Sequence, residues 1–159
     1  MISHQHWRHP ASPQIFYKLD EIVYQFLRND GDVVALSLDY LARNSKHPFS
    51  YSPEIEFRMS DSTSADEIDF CVAYDGVLAI GEAKKKGELA RSPSETHHTL
   101  NKYLHLATML NARRVLFCTT APEWKDSTVE MVRCAFQGKL AIPIFLAGRE
   151  LLGKSRSQG

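Results

Sequence analysis

Residues 66–86 read DEIDFCVAYDGVLAIGEAKKK, and this stretch decides how the rest of the chain is organised. It contains two apolar runs, residues 68–74 and 77–80, which are joined by Asp75 and Gly76. An Asp-Gly pair between two such runs favours a type I′ turn, because both turn residues must adopt positive φ angles. The sequence therefore predicts a β-hairpin whose strands are connected by a two-residue turn.

A two-residue turn also fixes which residues face each other across the hairpin. The predicted pairs are Tyr74 with Val77, Ala73 with Leu78, Cys71 with Ile80, Asp69 with Glu82, and Glu67 with Lys84. Side chains alternate between the two faces of a strand, so every pair except the first is predicted to lie on one face. That face is apolar near the turn and charged at its far end.

The charged end of the hairpin brings Asp69 and Glu82 together. Directly opposed residues have Cβ atoms about 4.5–5.5 Å apart, and like charges in this position destabilise a sheet. A divalent cation between the two carboxylates would remove that repulsion. Mg²⁺ suits the site, because it uses one or two protein carboxylates, keeps several waters and takes further oxygens from phosphate groups. The residues themselves therefore predict a Mg²⁺ site at this end of the hairpin.

The pattern of these residues resembles the active-site motif of a known nuclease superfamily. Asp69 is followed, after twelve residues, by Glu82, Ala83 and Lys84. This spacing resembles that of the PD-(D/E)XK nucleases, which include restriction endonucleases and archaeal Holliday-junction resolvases. The Glu-Ile-Asp run at residues 67–69 is similar to the Glu-x-Asp variant of the resolvase-like branch, with isoleucine in the place of the usual proline.

The resemblance implies a restriction endonuclease-like fold: an α/β domain with an αβββαβ core, a mixed central sheet flanked by helices, and an extra C-terminal helix and strand. It implies Mg²⁺-dependent hydrolysis of phosphodiester bonds, with Mn²⁺ able to substitute, by an endonuclease whose first expected substrate is DNA. Asp69, Glu82 and Lys84 would be the catalytic residues. Asp69, Glu82 and the carbonyl of Ala83 would bind the metal, with Asp20 on the first helix as a further candidate ligand.

Basic residues follow the motif, and they are the predicted contacts to the phosphate backbone of the substrate. Lys85, Lys86 and Arg91 form the most basic local cluster in the chain. His98 and Lys102 lie on one face of the next predicted helix, which packs beside the active site in this superfamily. A solvated strand end explains the consecutive lysines equally simply, and the sequence leaves both explanations open.

Other functions would fit the same residues. The charged end of the hairpin is also explained by an ordinary ion pair between Glu67 and Lys84, with the other carboxylates in water. A catalytically inactive nuclease-fold module, binding nucleic acid or a protein partner, is the main alternative function. The intact set Asp69, Glu82 and Lys84 argues against it, since a site that has lost activity usually loses one member. A third class is an α/β protein with a coincidental motif.

Composition places the chain among ordinary globular proteins. Its 159 residues predict one domain at residues 13–152, between an irregular N-terminal arm at residues 1–12 and a flexible tail at residues 153–159. Nineteen basic residues balance nineteen acidic ones, which argues against a protein that coats nucleic acid by bulk charge but not against a local basic groove. Because cutting both strands of a duplex needs two sites, a homodimer is compatible with the proposed activity.

Cysteine usage and hydropathy bear on the compartment. The three cysteines, Cys71, Cys118 and Cys134, lie in separate apolar runs without metal-ligand spacing. An odd number of scattered thiols suits a reducing cytoplasm. No apolar run approaches eighteen residues, and the polar, histidine-rich N-terminus does not resemble a signal peptide. The sequence therefore predicts a cytoplasmic protein without a membrane partner.

Periodicity and turn residues predict the remaining elements. Helices are predicted at residues 13–29, 94–111 and 126–136. Strands are predicted at residues 32–40, 54–59, 114–120 and 141–146, of which the third is a buried parallel strand and the last an edge strand. Loops are predicted at residues 41–53 and 61–65.

Overall fold

A computed structural model describes residues 21–58 and 65–153 of the chain, with the backbone alone for Glu21, Ile22 and Tyr24. The elements follow in the order α1 (Glu21–Arg28), α2 (Gly31–Asn44), β1 (Ser50–Arg58), β2 (Ala65–Tyr74), β3 (Val77–Lys84), α3 (Pro93–Met109), β4 (Arg114–Thr119), α4 (Asp126–Phe136), β5 (Ile142–Leu146) and α5 (Gly148–Leu151). The predicted arm at residues 1–12, the candidate ligand Asp20, most of the predicted loop at 61–65 and the tail beyond Gly153 lie outside the described residues.

The five strands form one mixed sheet in the order β1-β2-β3-β4-β5. The first three strands are antiparallel, and β3, β4 and β5 are parallel. Helices α3 and α4 connect the parallel strands and pack in one core cluster, while α2 and α5 pack in a second cluster with the other face of the sheet. The prediction of an α/β domain with a mixed sheet flanked by helices is therefore confirmed.

The hairpin has the predicted turn and the predicted register. Asp75 and Gly76 have φ angles of 50° and 76°, which are the positive values that a type I′ turn requires. Tyr74 pairs with Val77, and the pairing continues outward to Phe70 and Gly81. The apolar runs beside the turn therefore set the pairing, as their spacing predicts.

The predicted strand at residues 32–40 is wrong, because this stretch lies in helix α2. The buried residues Val33, Ser37, Leu38 and Leu41 recur at the spacing of one helical face. The Ser37 hydroxyl donates to the Val33 carbonyl at 2.7 Å, one turn earlier. The two adjacent valines favour a strand locally, but packing of this face against the sheet outweighs that preference.

In the second half of the chain, the helices and strands lie close to their predicted positions. The side chain of Ser92 caps α3 by accepting a hydrogen bond from the Glu95 backbone at 3.2 Å. Strand β4 is buried along most of its length, as expected for a parallel strand covered on both faces. Strand β5, which contains Pro143, is an edge strand as predicted. Among the described helices, none has both the length and the apolar character needed to cross a bilayer.

Candidate active site

The strands of the hairpin separate just beyond the pair Phe70–Gly81. Hydrogen-bonded pairs alternate from a two-residue turn, so the next such pair would join Ile68 to Ala83. The backbone pairing ends before that position. Instead, the backbone N–H of Ala83 donates to Oδ2 of Asp69 at 2.5 Å. The Asp69 carboxylate therefore occupies the space between β2 and β3 at residues 69 and 83, which is called the fork below.

The alternation of side chains along β2 breaks at Asp69. Ile68 and Cys71 both pack with α3 and α4, although residues three apart on a regular strand point to opposite faces. On β1, Glu54 is the residue that regular pairing would place opposite Asp69. It is not paired with Asp69, and its φ of 39° is positive. The prediction that Glu67 shares a face with Cys71 is therefore wrong. Glu67 lines a groove on the α2 side of the sheet.

Glu82 is the buried carboxylate of the site, with 4% of its surface exposed. Its Oε1 lies 2.7 Å from Nζ of Lys84, two residues further along β3. Its Oε2 lies 3.8 Å from Nζ of Lys102 on α3, and the same ammonium donates to the Glu67 carbonyl at 2.7 Å. Because a buried charge is stable only when it is paired, these two lysines hold Glu82 beside the fork. The ion pair of Lys84 is thus with Glu82, and not with Glu67.

Tyr103 fixes the fork from the α3 side. Its side chain is fully buried, and its hydroxyl donates to the Gly81 carbonyl at 2.9 Å. Burial, together with the negative charges of Glu82 and Asp69, raises the pKa of Tyr103 well above its ordinary value. The hydroxyl is therefore a permanent donor at the position where the two strands begin to separate. No role in the site is predicted for Tyr103 from the sequence.

The electrostatics of the fork follow from two crowded carboxylates. Burial, with a further contribution from Glu82, raises the pKa of Asp69 from 3.8 to about 6. Burial alone would lower the pKa of Lys84, but the Glu82 and Asp69 carboxylates outweigh it and raise that pKa above its ordinary value. Lys84 is therefore an ammonium at neutral pH, while Asp69 is a carboxylate that gains a proton unusually easily.

Asp30 is a site residue that the sequence analysis missed. It precedes α2 with a left-handed φ of 59°, and it lines the same groove as Asp69 and Lys84. Burial raises its pKa, while Lys84, Lys85 and the backbone N–H of Lys85 act in the opposite direction. The signal was present, since Asn-Asp-Gly at residues 29–31 is a strong turn signature. The strand predicted for the residues after Asp30 conceals this turn.

The predicted phosphate contacts divide into two groups. Lys102 lies within the site, in contact with Glu82, and Lys85 contacts the Leu27 carbonyl and lies 3.4 Å from Oδ1 of Asp32. These two ammonium groups are thus already engaged within the protein. The remaining three side chains are exposed to solvent at the carboxyl end of β3 and on α3: Lys86, Arg91 and His98.

The donors at the fork fit a Mg²⁺ ion, although no group of three or more His, Cys, Asp or Glu side chains gathers within residues 21–58 and 65–153. The charge of Glu82 contributes to the raised pKa of Asp69, which places the two carboxylates close to each other. The N–H and C=O of one strand residue point to the same neighbour, so the Ala83 carbonyl faces the fork like its N–H. Two carboxylates and one carbonyl are hard oxygen donors, which is the set that Mg²⁺ accepts.

Comparison of the chain with protein-family models, with curated proteins and with solved structures found no match. The function of the protein is therefore inferred from the geometry and chemistry of the site.

Proposed function

We propose that this protein is a metal-dependent nuclease that hydrolyses phosphodiester bonds, with DNA as the first substrate to test. The observation that carries the proposal is the fork, where Asp69 and Glu82 lie beside an ammonium, Lys84, that stays charged at neutral pH. The order α2-β1-β2-β3-α3-β4, followed by α4 and β5, supports a restriction endonuclease-like fold of the PD-(D/E)XK type.

The proposed roles follow from what each group can do chemically. Asp69, Glu82 and the Ala83 carbonyl hold the metal, which when bound supplies Lewis acidity and a water of lowered pKa. The Lys84 ammonium lies at the mouth of the fork, with 32% of its side chain exposed, where it contacts a non-bridging phosphate oxygen and stabilises the charge that develops there. Lys102 and Tyr103 orient Glu82 and the fork without reaching the substrate.

A second candidate function is a catalytically inactive module that binds nucleic acid or a protein partner. One observation favours it, because Glu82 is already paired with Lys84 and Lys102 and does not need a metal to offset its charge. The two candidates differ in their expected chemistry: only the nuclease cleaves a phosphodiester bond when Mg²⁺ is added.

The deciding experiment is cleavage of supercoiled, linear, branched and single-stranded DNA in Mg²⁺, with EDTA as the blank. Asp69→Asn keeps a hydrogen-bond acceptor for the Ala83 N–H but removes the charge, so it is expected to abolish cleavage. Glu130→Gln is the control, because Glu130 is an exposed carboxylate on α4, outside the fork and the groove beside it. DNA is the wrong substrate if wild type cleaves none of these molecules, and the assigned site is wrong if Asp69→Asn cleaves as well as the control.

A further inference from the structure

A large groove opens beside the fork on the α2 side of the sheet. Its volume is about 1030 Å³, and its walls come from α1 and α2 on one side and from β1 and β2 on the other. Asp69, Ala83 and Lys84 form one end of it, so whatever occupies the groove lies next to the candidate metal site. The volume exceeds what a metal ion and a phosphate group fill, and so it has room for another part of the substrate.

The groove is lined mainly by carboxylates, which repel a phosphate backbone. Among the described residues that line it, the charged side chains are Asp30, Asp39, Glu54, Glu67, Asp69 and Lys84. The ammonium of Lys84 is already 2.7 Å from Glu82. Among the carboxylates, Asp39 forms an ion pair with Arg43. A cleft lined by one sign of charge repels ligands of the same sign. Phosphates along the groove would therefore be disfavoured, whereas an uncharged group would not.

The exposed cations near the site lie elsewhere. Lys86 and Arg91 follow β3 near Glu88, which pairs with Lys125 at the start of α4. None of these side chains lines the groove. A strand of nucleic acid that contacts them with its phosphates would direct its bases away from the cations. The groove is the cavity next to the fork into which such a base can enter.

Two aromatic side chains in the groove provide a surface for a base. Phe26 on α1 is 47% exposed and Tyr51 on β1 is 58% exposed, and both line the groove. An aromatic side chain that lines a groove can stack on a base of any type, and one such contact strengthens binding by about 5- to 150-fold. A base enters such a groove only when it is unpaired, because pairing and stacking hold it inside a duplex.

We propose that the groove binds an unpaired nucleobase next to the scissile phosphate, stacked on Tyr51 and Phe26. The substrate class is thus single-stranded, looped or flapped nucleic acid, and not a fully paired duplex. The inference that the ligand is a nucleic acid rests on the proposed nuclease function. The groove adds a preference that the fork alone does not provide, because metal, carboxylates and lysine act on the phosphate and not on the base.

The test uses full-length protein and three oligonucleotides in Mg²⁺: a single strand, its fully paired duplex, and the same single strand with abasic sites beside the cleaved bond. Wild type is expected to cleave the single strand about tenfold or more faster than the other two, as the loss of one stacking contact implies. Tyr51→Ala should cleave the base-containing strand more slowly than wild type, whereas its cleavage rate on the abasic strand should equal that of wild type. Tyr51→Trp should cleave the base-containing strand as fast as wild type. Leu140→Ala, an exposed apolar change outside the groove, is the control.

Binding without cleavage separates failure of the groove from failure of the nuclease. A strand containing 2-aminopurine, titrated in Ca²⁺ and in EDTA, should be quenched on stacking by wild type and not by Tyr51→Ala. Phe26→Ala, checked for folding by its thermal melt, should reduce the quenching as well. Cleavage without a preference for unpaired bases, or quenching that does not depend on Tyr51, overturns the groove inference and leaves the nuclease intact. Quenching that depends on Tyr51 without any cleavage overturns the nuclease and supports the groove.

Discussion

At the scale of single residues, Asp69 is the unusual group. Its carboxylate replaces a backbone carbonyl as the acceptor for the Ala83 N–H, and burial together with Glu82 raises its pKa from 3.8 to about 6. In the unfolded chain the same carboxyl has its ordinary pKa. The folded protein therefore holds this proton more tightly than the unfolded chain, and ionisation of Asp69 costs folding free energy.

The first prediction concerns this cost. The stabilising contribution of protonated Asp69 is complete below about pH 4 and is lost as the pH rises through about 6. This contribution to the free energy of unfolding is at most about 3 kcal/mol. Asp69→Asn should therefore be more stable than wild type at pH 7.5 in EDTA, and this advantage should vanish towards pH 4. Urea unfolding at several pH values measures it, with Glu67→Gln as the control. An Asn variant that is less stable at every pH would contradict the assigned environment.

The two lysines beside Glu82 should behave differently when removed. In the proposed nuclease Lys84 contacts the phosphate, so Lys84→Ala should lower kcat by about 10²–10³-fold, as the loss of one preorganised charged donor does. Lys102 is a positioning residue that holds Glu82 and the Glu67 carbonyl. Lys102→Ala should reduce metal affinity more than kcat at saturating metal, and Lys102→Arg should restore it. Equal losses of kcat in both alanine variants would show that the two lysines do not divide the roles in this way.

At the scale of elements, α3 determines the geometry of the fork through Tyr103. Removing its hydroxyl in Tyr103→Phe leaves the Gly81 carbonyl without this donor, which should cost about 1–2 kcal/mol of stability. The variant should also bind Mn²⁺ more weakly, because the separation of β2 and β3 is no longer fixed. Tyr74→Phe is the matched control, since Tyr74 is buried at the turn end of the same hairpin. Calorimetry that shows the same Mn²⁺ affinity for both variants would remove Tyr103 from the account.

The elements that can be predicted from the sequence are those whose start, end or period is encoded by neighbouring residues. The Asp75–Gly76 turn, the capped helix α3 and the apolar strand β4 each contain their own start, stop or period, and each is found where predicted. A strand is predicted in place of helix α2 because the adjacent valines at residues 33–34 favour a strand locally, whereas the helical burial pattern is revealed only by packing.

The site was predicted in its composition but not in its detailed geometry. The pairing rule places Asp69 and Glu82 near each other, and it holds as far as Phe70 and Gly81. Beyond that pair the strands separate and the faces of β2 exchange at Asp69, opposite the irregular Glu54 of the neighbouring strand. Asp30 enters the site only through the corner before α2, so no periodic pattern identifies it.

At the scale of the whole molecule, a formal net charge of zero means that the proposed binding of nucleic acid must depend on a few local contacts. Lys86 and Arg91 are exposed near the carboxyl end of β3, whereas Lys85 is engaged with Leu27 and Asp32. The double variant Lys86→Ala, Arg91→Ala should flatten the log–log salt dependence of single-strand affinity in Ca²⁺ by about 1.4 units, or about 0.7 per contact.

The control for this measurement is the double variant Lys46→Ala, Lys139→Ala, which removes the same charge from exposed positions outside the site. Its salt dependence should match that of wild type. Equal slopes for both double variants would mean that the phosphate contacts lie on another surface. The homodimer stays a prediction, and sedimentation of the protein with and without a duplex measures it.

The central claim is that Asp69 and Glu82 hold one divalent ion at the fork, and proton-linked Mn²⁺ binding tests it most directly. A carboxyl with a pKa of about 6 must lose its proton when the metal binds, so calorimetric titrations in buffers of different ionisation enthalpy should show release of about half a proton at pH 6 and little at pH 7.5. Asp69→Asn should abolish both the binding and the proton release, while Glu130→Gln, an exposed change on α4, should preserve them. Unchanged Mn²⁺ affinity in Asp69→Asn, or binding by wild type without proton release at pH 6, would contradict the account.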